Sequence, residues 1–163
     1  MPAPTAASLY DFESTYESAL ANYFANVNAS WQIITPQTVS NASVNTDYQR
    51  TPRITIEFSI TGTPDKRDIA NGSEYYSSRT GSYTIQAVSR RNEPTENHGL
   101  LRGSIRQGML NAAAALNLVH IPYLETADVS ETSSSQSVDP NNDEILTQLT
   151  YAVLFFIPPS SVP

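Results

Sequence analysis

Apolar residues recur at three- and four-residue steps over residues 7–27, where Leu9, Phe12, Tyr16, Leu20, Tyr23 and Phe24 share one helical face. Ser8 is placed to cap this predicted helix, and Asp11 and Glu13 put negative charge near its positive end. WQIIT, from Trp31 to Thr35, predicts a short strand stopped by Pro36. The cleanest alternation is RITIEFSIT: Ile54, Ile56, Phe58 and Ile60 on one face, Thr55, Glu57, Ser59 and Thr61 on the other. It predicts a half-buried strand. SYTIQAVSR, from Ser82 to Arg90, predicts its antiparallel partner. Residues 62–81 between them are polar, carry the turn signal Asn71-Gly72, and read as a protruding loop or hairpin arm.

A second amphipathic helix is predicted over residues 97–117, with Leu101, Ile105, Met109 (or Gly108), Ala112 and Leu116 as its inner stripe. Gly99, Gly103 and Gly108 weaken it by about 1 kcal/mol each in interior positions, but small residues also allow close packing on a sheet. Residues 119–131 read as an irregular strand broken at Pro122, and residues 130–144 as a polar loop. LTYAVLFFIPP then closes the pattern, and it is apolar on both faces. Leu149, Tyr151, Val153, Phe155 and Ile157 alternate with Ala152, Leu154 and Phe156. Such a strand is buried on both sides, either between two helix layers or between one helix layer and a neighbouring subunit.

The order α-β-β-β-α-β-β predicts one α+β domain over residues 1–163. Its sheet is mixed and mostly antiparallel, of four to five strands, with two main helices packed on it and long polar loops between. A chain of 163 residues can bury a substantial core, and with no cysteine it uses no disulfide. MPAPTAASLYDFE has neither the basic nor the apolar region of a signal peptide, and no apolar run is long enough to span a bilayer. The sequons at Asn28, Asn41 and Asn71 match the number expected by chance, about three, from 12 Asn and 36 Ser and Thr.

A net charge of −7 argues against a nucleic-acid binder, which needs a basic patch to neutralise phosphates. The charge is also segregated. All nine Lys and Arg lie between Arg50 and Arg106, a segment of net +3, and both flanking segments carry acids alone. That pattern fits pairing of the termini with the middle inside one molecule, or head-to-tail contact between copies.

No nucleophile elbow, phosphate loop, dinucleotide fingerprint or zinc-protease motif occurs. His98 precedes the second helix and reads as a helix starter; His120 lies on an apolar strand and reads as a core residue. Asp139, Asn141, Asp143 and Glu144 have the composition of a calcium loop, but Pro140 interrupts the spacing and the required glycine is missing. They read as a solvated turn. The basic set Arg90, Arg91, Arg102 and Arg106 has two readings. It is either a solvated flank pairing with Glu93 and Glu96, or a subunit surface accepting a neighbour's acidic Glu125 to Glu144 region. Tyr75 and Tyr76 on the arm, and Leu154 and Phe156 on the last strand, join Asp139, Asp143 and Glu144 as candidate interface residues.

Three features together resemble the tail-terminator (tail-completion) proteins of long-tailed bacteriophages. These are the amphipathic first helix with its strand pair and long arm, the segment SRRNEPTENHGLLRGSIRQGML, and the ending SETSSSQSVDPNNDEILTQLTYAVLFFIPP. The resemblance is most detailed over residues 83–159. It implies an α+β structural subunit of the virion, without cofactor or enzymatic role, assembled in the cytoplasm of the bacterial host. It further implies a ring, a hexamer in that family, that caps the tail tube and meets the neck or connector. DNA would pass through the lumen without specific binding, and an acidic wall suits that passage. Another neck, connector or tube component, a monomeric binding module, and a small hydrolase with an unrecognised site are the competing readings.

Overall fold

The structure is a computed structural model and describes residues 11–37, 51–62, 65–69, 74–111 and 124–157. Helix α1 spans Phe12–Val27, and strands β1 and β2 span Gln32–Ile34 and Arg53–Ile60. Strands β3 and β4 follow at Asp65–Ile69 and Glu74–Arg90, then helix α2 at His98–Leu110. Strands β5 and β6, at Glu125–Asp139 and Glu144–Ile157, complete the order. One mixed sheet runs β1-β2-β4-β6-β5, with β3 also paired to β4. The β1–β2 pair is parallel and every other pair is antiparallel. The fold is α+β, dominated by strands.

The predicted periodicities set these elements. Phe12, Tyr16, Leu20 and Phe24 are buried along α1, and Ile54, Ile56 and Phe58 along β2. Helix α1 is capped by Asp11, whose carboxylate accepts from Ser14 N at 3.3 Å; Ser8 and Leu9 lie outside the described residues. Leu101, Ile105 and Met109 are the inner stripe of α2 as predicted, and Asn97 caps it by accepting from Leu100 N at 3.1 Å. Ala112, Leu116, Pro122 and His120 lie outside the described residues, as do Asn41, Asn71 and Gly72.

Both helices pack on the same face of the sheet, in one cluster with Ile54, Ile56, Tyr83, Ile85, Leu149 and Phe155. Aromatic rings fill the centre of that layer. Tyr16 stacks on Phe58 with ring centroids 4.7 Å apart and tilts against Phe155 at 4.9 Å. Two glycines make the packing possible. A methyl group at Gly81 would lie 2.2 Å from the Phe58 ring, so that ring rests on bare backbone. Gly108 gives α2 the same close approach to Phe24 of α1, a helix–helix contact rather than the helix–sheet contact expected.

One segment differs from expectation. Residues 130–139, expected as loop, form most of β5. Their Ser-rich sequence has weak strand preference, but β6 offers a long regular ladder to pair with, and tertiary pairing overrides local propensity. The loop proper is residues 140–143. In the 62–81 connection, read as a loop or hairpin arm, β3 pairs with β4 from Asp65–Ser78 to Ile69–Glu74, a two-stranded arm. Strand β4 is therefore 17 residues long and runs from the arm through the body of the sheet.

Glu17 was not singled out by its pattern, yet it is buried on α1. Strand β1 pairs with β2 only at residues 53–55, which leaves Phe58 N–H without a strand partner on that side. The Glu17 carboxylate accepts it at 2.9 Å. Burial raises the carboxyl pKa, opposed by the Phe58 hydrogen bond and assisted by Glu57, Glu13 and Asp11. A raised carboxyl pKa means stability is fullest when Glu17 is protonated and falls as pH rises from the unfolded toward the folded pKa. Glu17→Gln keeps an acceptor without the charge, so at pH 7 it should be at least as stable as wild type. The difference should shrink on acidification, read by thermal melts across pH 4.5–7.5. Glu17→Ala leaves the amide bare and should cost about 1–3 kcal/mol; equal melting of the two variants would remove the cap from the account.

Candidate interaction surface

Helix α2 brings the predicted basic residues against β5 of the same molecule. The Arg106 guanidinium grips Glu131 with both ends of the fork, Nε to Oε1 at 2.9 Å and Nη2 to Oε2 at 3.2 Å. Tyr151 donates its hydroxyl to the same carboxylate at 3.0 Å. The Arg106 hydrogen bond holds the Glu131 carboxyl below its usual range, and Glu131 in turn raises the guanidinium. Burial, reinforced by the bond to Glu131, raises the Tyr151 phenol. One helical turn away, Arg102 hydrogen-bonds the side-chain oxygen of Gln136. Both arginines meet the acidic segment named as their complement, within one chain. Their partners are Glu131 and Gln136 rather than Glu93 and Glu96.

The other predicted residues are spread out. Arg91 pairs with Asp143 at 2.8 Å at the β5–β6 turn, and its N–H bonds the Asp143 carbonyl at 2.7 Å. Asp143 has φ 56°, and Asp139 holds the turn from within by accepting from Asn141 N, Asn142 N and the Asn142 side chain. The Asn142 bonds depress the Asp139 carboxyl. Glu144, expected on an exposed acidic surface, is only 6 % exposed and faces Arg53 at 3.3 Å. Arg90 is exposed, and its backbone N–H donates to Glu96 at 2.8 Å. Tyr75 and Tyr76 lie on the arm portion of β4, opposite Asp68 and Arg67.

The second sheet face carries no helix among the described residues. Thr55, Thr84, Gln86, Gln148, Thr150 and Ser133 share it across four strands by register, with Gln86 donating to Gln148 at 3.1 Å. Its apolar residues are the cross-strand pair Val88 and Leu146, and Ala152, Leu154 and Phe156 near the end of β6. Leu154 is 37 % exposed, while Ala152 and Phe156 are half-buried. Among the described residues the doubly apolar β6 is thus covered by helices on one face only, and its second face runs into mostly polar neighbours.

Sequence reasoning missed the anchoring of α2. His98 Nδ1 lies 2.7 Å from Ser89 Oγ of β4, and Nε2 lies 2.7 Å from Thr147 Oγ1 of β6. Both hydroxyls are buried, so the ring works as a strut between the first residue of α2 and two strands. A signal was present, since Ser89 and Thr147 are polar residues at core-facing positions of their strands. Among the described residues no three His, Asp or Glu side chains gather as a metal would require, and no helix is long and apolar enough to cross a membrane. A cleft of about 560 Å³ between the start of β1 and α2 is lined by Trp31, Thr51, Glu96, Asn97 and Leu100 among others. No protein-family model matches the sequence, and no curated protein matches it significantly.

Burial and then Arg102 lower the His98 pKa. A lowered base pKa gives stability that is complete above the unfolded value and declines as pH falls through it toward the folded value. Wild type should therefore lose stability below about pH 6.5, and His98→Gln should flatten that part of the profile, read by denaturant midpoints at pH 5 and 7.5. For the exposed Arg106–Glu131 pair, a double-mutant cycle with Arg106→Ala and Glu131→Gln should give a coupling of about 0.2–1 kcal/mol, smaller in 1 M salt.

Proposed function

We propose that this chain is a structural virion protein, a bacteriophage tail terminator that assembles head-to-tail into a ring, caps the tail tube and joins it to the head or neck. The observation that carries the reading is the layout. A helix-backed sheet extends its central strand into a hairpin arm, in the element order that resembles the terminator family. An arm of this length has little use in an isolated subunit, because its strands leave the layer that the helices cover. The segregated charge and net −7 fit a ring of contacting copies around passing DNA.

The cleft beside β1 favours a second reading, a monomeric binding module, because a concave site of this size can hold a small ligand. Light scattering and negative-stain electron microscopy separate the two. The ring reading expects a discrete oligomer, or rings on the ends of tail tubes when tube protein is added. A monomer at every concentration that never associates with tubes would sink it.

A further inference from the structure

Among the described residues strands β5 and β3 each pair on one side only, and their outer edges lie at opposite ends and opposite sides of the sheet. Strand β5 is the last strand of the sheet, and every residue from Ser130 to Val138 is exposed on both faces. A bulge twists its earlier half between Thr126 and Asp128, and another follows between Glu131 and Ser133. From Ser133 to Asp139 the ladder with β6 is regular, and Ser133 to Val138 contains neither charge nor proline. Bulges, inward charges and proline are the usual protection of an edge strand, and this stretch has none of them. The other edge is β3, which pairs with β4 alone among the described residues.

We propose that the Ser133–Asp139 edge of one copy receives strand β3 of the next copy, extending the sheet from subunit to subunit by backbone hydrogen bonds. This rests on the ring reading and names its contact. Residues 74–78 of β4 flank β3, whereas β5 from Ser133 onward stands level with residues 84–90 of β4. The two edges are thus separated along the strands by roughly 35 Å, at about 3.3 Å per residue. They cannot meet within one molecule. Between copies they meet head to tail, and a contact of unlike edges is the kind that closes a ring. Strand directions agree: β3 runs with β6 and β5 runs against it, so a neighbour of the same orientation pairs β3 with β5 antiparallel.

Charge selects this occupant over a second β5. No base lies beyond Arg106, and β5 carries Asp128, Glu131 and Asp139, so two β5 strands would bring acid to acid. Strand β3 balances Asp65 and Asp68 with Lys66 and Arg67, so by sequence it has no net charge and meets β5 without that repulsion. Main-chain pairing gives such an added strand its affinity, and flanking charge gives it direction.

The chain has no cysteine, which makes the contact directly testable by disulfide trapping. Arg67→Cys would be combined in one chain with Ser133→Cys, Ser135→Cys or Ser137→Cys in turn, and each would be oxidised at a concentration where wild type is oligomeric by light scattering. At least one combination should give a ladder of covalent dimers, trimers and higher species that reductant collapses. Each single variant should stay monomeric on a denaturing gel, with its melting temperature near that of wild type. A ladder from none of the three, with the oligomer intact, overturns this contact and leaves the ring reading standing. A covalent dimer from a β5 single variant alone overturns it in favour of two-fold pairing. Monomeric wild type at every concentration overturns both.

Discussion

The rest of the structure depends on Tyr16. Its ring is fully buried, stacks on Phe58 of β2 and leans on Phe155 of β6. Its hydroxyl lies 2.9 Å from Thr126 Oγ1 of β5, and its carbonyl accepts the Tyr83 hydroxyl of β4 at 2.6 Å. One residue of α1 therefore touches four strands. Burial raises both phenols well above their ordinary range, so each stays a neutral partner at any physiological pH. Hydrogen bonds of this kind stabilise little in net terms, but leaving one unmade in the interior would be costly, which fixes the helix in one position.

That fixed layer explains the asymmetry of the sheet. With α1 and α2 both on the face that Tyr16 defines, the other face carries no helix among the described residues and mixes hydroxyl, amide and charged side chains with Val88, Leu146 and the apolar end of β6. The edges are treated as unequally. On one side Glu17 reaches down from α1 to cap the Phe58 amide where β1 stops. On the other, β5 runs past the last helix contact with its outer side in solvent. The ion pairs on α2 belong to the same arrangement: Arg102 and Arg106 tie the helix to β5 across exposed ground, where their energetic worth is small and their effect on register is larger.

The terminator reading and these surfaces bear on each other through position. The charged residues that suggested association are largely engaged inside the chain, whereas the edge of β5 and the arm are engaged by no described strand beyond their own ladders.

Much of the scaffold was legible in sequence. The alternation of β2, the three- and four-residue steps of α1, and the stripe of Leu101, Ile105 and Met109 each encode one buried face, and burial enforces that encoding locally. The extent of β5 was not legible: Ser and Thr have no strand period to read, and only the neighbouring β6 makes that segment extended. Nor could the sequence say what lies over Leu154, because a doubly apolar strand fits two helix layers as well as one. Partner choice was equally hidden. Arg106 could have met Glu93 or Glu96 by proximity in sequence, but the sheet places Glu131 beside it. Periodicity determined which face of each element is buried; the pairing of distant strands decided which faces and edges were left over.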